Sequence, residues 1–124
     1  MLDVAKIESD EFIGLTTHEN GRVLGYCNIS HDPDCREPDG RRVFISYIEA
    51  LEQGQEIGPY LLRVSFSVLD IFAMEHGPLR NLVEFTDGHT MRKLVPICKE
   101  SGYKVIESSP ERIVLYRDFP NSLS

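Results

Sequence analysis

The chain is poor in positive charge: 13 Lys and Arg stand against 20 Asp and Glu, a formal net charge of −7 over 124 residues. Nucleic acid and anionic membranes demand clustered Lys and Arg, so the deficit argues against both as partners. It suits a basic partner instead, such as a lysine, a polyamine or a protein amine. Cysteine is scarce as well. Cys27, Cys35 and Cys98 form an odd set with no CxxC pair, which speaks against a disulfide framework and for reduced thiols in the cytoplasm. No unbroken apolar run reaches the roughly 20 residues that span a bilayer, and the opening Met1-Leu2-Asp3 does not start a secretory leader. Internal repeats are missing too. What remains is 41% apolar and 27% charged, the ordinary balance of one globular domain with one core.

Periodicity and turn residues predict strands at 11–18, 22–30, 41–51 and 79–86. They predict helices at 59–76 and 90–101, and a closing hairpin of strands at 103–107 and 112–117. Residues 1–10 fit either a short strand or a frayed leader. Asn20-Gly21 is a two-residue hairpin signal, because both positions tolerate positive φ. Residues 31–40, polar and holding Pro33, Pro38 and Gly40, read as a surface loop. Pro59 opens the first helix and Gly77-Pro78 follows its end. Leu61, Val64, Val68 and Phe72 make one stripe; Leu62, Phe66, Leu69 and Ala73 make the next. So wide an apolar face needs a sheet beneath it. Pro96 should kink or split the second helix, and residues 119–124 read as a loose tail. The order places a β-α-β unit, with its parallel strand pair, between hairpins. The fold class is therefore α+β: a single domain, 1–124, around a mixed sheet.

The segment Gln53-Gly54-Gln55-Glu56-Ile57-Gly58 joins a strand to the first helix. A helix start offers unpaired N–H groups and a partial positive charge, and glycine lets a phosphate approach the backbone. The segment is a candidate diphosphate-binding loop; the plain alternative is a strand-to-helix turn.

Order and loop together resemble the Gcn5-related N-acetyltransferase (GNAT) family, over residues 14–119. Ile48 stands where that family usually has valine. Residues 53–58 look like its Gln/Arg-x-x-Gly-x-Gly/Ala signature, and Gly54 and Gly58 also match its Arg-Gly-x-Gly-x-Gly variant. Cys98-Lys99-Glu100-Ser101-Gly102-Tyr103 sits where the family has Tyr-x-x-x-Gly-Phe. The resemblance implies an acyl-CoA N-acyltransferase-like fold, a mixed and splayed sheet with helices packed on its faces. It implies acetyl-CoA as acyl donor, an amine acceptor, and direct attack with neither a metal nor a covalent enzyme intermediate. It implies that the backbone of Gln53, Gly54, Gln55, Glu56, Ile57 and Gly58 holds the pyrophosphate. Ile48, Glu49 and Ala50 would then pair with the pantetheine arm, and a backbone N–H near Ile48 would hold the oxyanion.

Several residues depart from that pattern. Glu56 replaces the family's central glycine. Cys98 replaces a tyrosine that in the family protonates the departing thiolate. A thiol with a pKa of about 8.5 could also donate a proton, but the plain and favoured reading of this cysteine is a small buried core residue. Too few residues precede the first strand for the helix pair that walls the family's acceptor site. That side is expected to be open, or completed by a second copy in a homodimer. In Leu82-Val83-Glu84-Phe85-Thr86, Val83 and Phe85 face one way and Glu84 the other. A carboxylate beside the cleft can deprotonate an ammonium, so Glu84 and Cys98 are the candidate catalytic residues. The plain alternative for Glu84 is a solvated sheet face. Tyr47 and Glu49 also lie near the expected cleft, and Arg42 stands where the family carries a glutamate.

Metal readings are weaker. Cys27, His31 and Cys35 are spaced four apart and are zinc-ligand types, but the spacing matches no compact zinc knuckle. Asp32, Asp34, Glu37 and Asp39 suggest calcium, yet the glycine is misplaced for an EF-hand. No metal is expected. Two functions stay open: an amine acetyltransferase, and a non-catalytic GNAT-like binding or regulatory module, with or without CoA.

Overall fold

Asn20 and Gly21 take φ of 53° and 78°, and the hairpin they close is the first step of a seven-stranded sheet. The computed structural model describes residues 2–52 and 56–120. The elements are β1 (Asp3–Glu8), β2 (Phe12–Glu19), β3 (Arg22–Arg36), β4 (Arg42–Ala50), α1 (Ile57–His76), β5 (Leu79–Phe85), α2 (Gly88–Glu100), β6 (Lys104–Ser109) and β7 (Arg112–Phe119). The sheet order is β1-β2-β3-β4-β5-β7-β6. Only β4 and β5 run parallel, because α1 carries the chain across between them; the other pairs are antiparallel neighbours. The fold is the mixed α+β arrangement that the sequence implied.

The core lies between the sheet and both helices. Leu61, Leu62, Leu69 and Phe72 of α1 and Leu94 and Cys98 of α2 join one cluster with Ile13, Leu15, Cys27, Ile29, Phe44, Val83 and Leu115 of the strands. By length and composition α1 would pass for a membrane span, a point that Arg63, Asp70 and Glu75 hide from a search for unbroken apolar runs. Here its apolar sides are spent on the sheet. The opposite face of the sheet carries neither helix. Along β4, Phe44 and Ser46 are buried while Ile45 and Tyr47 are exposed, and Glu84 is exposed between buried Val83 and Phe85.

The structure decides some expectations and corrects others. Residues 3–8 are a paired strand, joined to β2 by a three-residue turn. β3 runs on to Arg36, through the first half of the expected loop, since His31 and Arg36 still find partners on β4. α1 begins at Ile57, so Pro59 is its third residue; the proline costs nothing there, because first-turn N–H groups have no intrahelical acceptor. Pro96 does not split α2, which runs unbroken from Gly88 to Glu100. Pro96 is exposed, and its missing N–H forfeits one helical bond without burying the freed carbonyl's partner side. Phe119 belongs to β7 and to the core, paired with Leu79, rather than to a loose tail.

Candidate active site

The parallel ladder between β4 and β5 has its last rung at Ser46↔Val83. Beyond it, Tyr47–Ala50 keep their partners on β3, and Glu84 and Phe85 keep theirs on β7, but the two strands no longer pair with each other. The opening is lined by Ser46, Tyr47, Ile48, Glu84, Thr86 and Thr90, with about 210 Å3 of space. A second hollow of about 190 Å3 adjoins it through Ile48 and Thr90 and is bounded by Glu49, Glu56, Gly58 and Lys93. The first is a cleft between the parted strands at the start of α2, and the second lies between the end of β4 and the starts of both helices.

A buried polar network holds the base of the opening. The Tyr103 hydroxyl donates to Asn81 Oδ1 (2.6 Å), and Asn81 Nδ2 donates to Ser46 Oγ (2.8 Å) and to the Phe44 carbonyl (3.2 Å). Every partner is buried, so the network ties β4, β5 and the exit of α2 at the rung where the ladder stops. Burial keeps the Tyr103 hydroxyl protonated, well above the usual range for a phenol.

The start of α1 faces the second hollow. Glu56 is the N-cap in a left-handed conformation, φ 56° and ψ 32°, and its side chain makes no capping bond. The first helical bond runs from Tyr60 N–H to the Glu56 carbonyl (3.1 Å), so the Ile57 and Gly58 N–H groups lack intrahelical partners. No acidic side chain occupies the first turn. The Glu56 carboxylate turns instead to Lys93 Nζ of α2, 3.3 Å away. Gln53, Gly54 and Gln55 lie outside the described residues. Gly25 on β3 sets the close approach of this helix end: a Cβ there would stand 2.6 Å from Ile57 Cγ2 and 2.9 Å from the Glu49 carbonyl. α2 also starts at the cleft. Asp87 caps it by accepting from the Thr90 N–H (3.0 Å), and that bond holds its carboxyl below the usual range.

The two candidate catalytic side chains part company. Glu84 reaches the opening, exposed at the end of β5, with its carboxylate paired to the Arg112 guanidinium, which also holds Glu107. Cys98 lies in the core beneath α2, fully buried and away from the residues that line the cleft, and burial pushes its thiol up to about 12. Glu49 sits at the mouth with two tyrosines: the Tyr26 hydroxyl donates to its Oε2 at 2.5 Å and the Tyr47 hydroxyl at 3.4 Å. The bond to Glu49 is the main reason the Tyr26 hydroxyl is pushed up to about 12. Cys27, His31 and Cys35 do not converge as metal ligands. Cys27 is buried, Cys35 exposed, and the His31 ring stacks on Phe44 at 5.3 Å.

Tyr26, Lys93, Asn81, Tyr103 and Gly25 escaped the sequence reading as parts of the site. Tyr26 was reachable from the hairpin register, which makes it the direct cross-strand partner of Glu49. Lys93 and Asn81 carry no local signal, since their roles arise only when α2 and β5 meet β4.

No family model and no curated protein matches the sequence. Solved structures do match in fold. One is an acetyltransferase of the GNAT family from Streptococcus pneumoniae, at 19% identity and TM-score 0.64, covering 90% of this chain and 68% of the other. Another is an IAA acetyltransferase from Bacillus cereus, at 13% identity and TM-score 0.63, covering 95% and 99%. A third is a variant of the AtaT toxin bound to the C-terminus of the antitoxin AtaR and acetyl-CoA, at 18% identity and TM-score 0.61, covering 86% and 68%. The chain spans from 68% to 99% of the length of these three proteins. The chain thus has the fold of GNAT acetyltransferases.

Proposed function

We propose that the chain is a cytoplasmic N-acetyltransferase that takes acetyl-CoA as donor and an amine as acceptor. The observation that carries this is the parting of β4 from β5 beside a helix start whose Ile57 and Gly58 amides have no intrahelical partner. These residues fit an anionic, strand-like ligand. The helix start supplies N–H donors and partial positive charge, and Lys93 adds a cation at the same hollow. Ile48, Glu49 and Ala50 offer a strand edge that β5 leaves unpaired. Gln53, Gly54 and Gln55 would extend the cradle. When bound, acetyl-CoA supplies an acyl thioester open to attack by a neutral amine.

The chain's own part is to orient the amine, take up its proton and hold the oxyanion. A backbone N–H near Ile48 stabilises developing negative charge there. Glu84 lines the opening and Glu49 the adjoining hollow, and either accepts a proton directly or through one water. Cys98 has a structural role in this reading. The three-residue link between β1 and β2 leaves no wall over the acceptor side, so bulky acceptors can enter, and a second copy of the chain could close it.

Glu56 and Arg112 favour a second reading, a non-catalytic CoA-binding or regulatory module. Glu56 brings negative charge to the helix start, and Arg112 neutralises Glu84. A thermal titration separates the cases. Saturation to 100 times Kd should stabilise by about 2.7 kcal/mol, a rise of several degrees in Tm. Such a rise with acetyl transfer to an amine supports the enzyme, and a rise without transfer supports the module. An unmoved Tm at millimolar acetyl-CoA ends both CoA readings and leaves a module that acts without CoA.

A further inference from the structure

The sheet face that α1 and α2 leave bare carries a built cluster at the opening. Tyr47 and Glu49 lie two apart on β4, so they share a face, and it is the face of exposed Ile45. Tyr26, the cross-strand partner of Glu49, projects on the same side. Their rings stand 6.0 Å apart, tilted by 31°, with the carboxylate between their hydroxyls. Both hydroxyls bond the same oxygen, Oε2, and neither uses Oε1. Glu84 across the opening is neutralised by Arg112, but among the described residues no Lys or Arg pairs with Glu49. A carboxylate without a counter-ion, framed by two aromatic rings at an open mouth, is a cation site.

We propose that Tyr26, Tyr47 and Glu49 form the acceptor subsite and take a primary ammonium on an unbranched alkyl chain, the chemistry of a lysine side chain or a polyamine. This rests on the transferase reading for the word acceptor, though not for the binding. An ammonium gives three donors to a carboxylate with one oxygen that neither hydroxyl uses, and its first methylenes lie along the tyrosine rings. Tyr47 is 58% exposed, so the subsite is a shelf rather than a pocket, open to an amine carried on something larger. The net charge of −7 draws cations toward it from a distance.

The test uses the full chain with carbon-13 in its tyrosine rings, titrated with n-butylammonium chloride and separately with 1-butanol. The cation should shift the Tyr26 and Tyr47 signals saturably, and the alcohol should not. Glu49→Gln should weaken butylammonium at least tenfold while its amide fingerprint stays that of the folded protein. Tyr47→Leu, at an exposed position, is the second variant and should weaken it several-fold. Equal response to the alcohol, or unchanged affinity in both variants, overturns the proposal. Spermidine and an N-acetylated Gly-Lys-Gly peptide then tell the two sources apart by which saturates at the lower concentration. Acetyl-CoA thermal shifts on the same samples separate the two levels. No shift with ring titration intact sinks the transferase and keeps the ammonium site; a shift with no ring titration does the reverse.

Discussion

Glu56 shows what one residue does when the backbone asks for another. Its φ of 56° lies where a side chain costs roughly 1–2 kcal/mol and glycine costs nothing. Glycine would return roughly 0.5–1 kcal/mol of that through greater unfolded-state freedom, and an exposed pair with Lys93 is worth little more than zero. Glu56→Gly should therefore hold or raise Tm slightly in a denaturation scan, and should tighten acetyl-CoA by removing charge from the helix start. A clear loss of stability would contradict the left-handed geometry. The thiols make a second residue-scale case. Burial pushes Cys27 and Cys98 up to about 12, from 9.0. Between those values the native state keeps protons that the unfolded chain releases. Their stabilising effect is thus whole below pH 9 and lost as pH rises toward 12. Urea midpoints should fall between pH 8 and about pH 10, and a native thiol-reagent assay should label Cys35 alone; a flat midpoint or three reactive thiols would refute this.

At the scale of elements, the sequence spoke clearly wherever one period or one turn sufficed. Asn20-Gly21 specified its hairpin, the two stripes of α1 specified a helix on a sheet, and the alternation around Glu84 specified which side chains face out. It was mute where two elements meet. Nothing local told that β4 and β5 would separate after five rungs, that Lys93 would find Glu56, or that Tyr103 would reach Asn81. The family resemblance supplied the separation as an expectation, and the resemblance rested on a loop of which only Glu56, Ile57 and Gly58 are described. For Cys98 the sequence left a proton donor and a core residue as alternatives, because a motif position says nothing of which side of a helix is buried. Gly25 is the sharpest omission: an unremarkable glycine in a strand, yet a Cβ there would meet Ile57 and Leu61 of α1. Gly25→Ala should cost about 1–3 kcal/mol by overpacking against Ile57 and the Glu49 carbonyl. Chemical denaturation would read that cost. A neutral result would mean the helix start gives way easily, and the cradle with it.

At the scale of the molecule, two antiparallel blocks make the sheet. One is β1-β2-β3-β4 and the other β5-β7-β6, and the sole ladder between them is the short parallel one from Arg42↔Leu79 to Ser46↔Val83. Contacts of α1 with α2 and with β7 back it up. Hydrogen exchange should therefore find the seam amides less protected than those in the interior of each block. Uniform protection across Phe44–Ile45 and Leu15–Thr16 would deny that division.

That division has a consequence for how the chain could be handled. The blocks are contiguous in sequence, and the connection between them runs through α1 to the turn at Gly77 and Pro78, where φ of 104° marks a glycine with nothing near its missing Cβ. A cut there would sever no strand and no helix. The molecule is in effect two cassettes clasped along one edge, and the clasp opens onto the very place where donor and acceptor are proposed to meet.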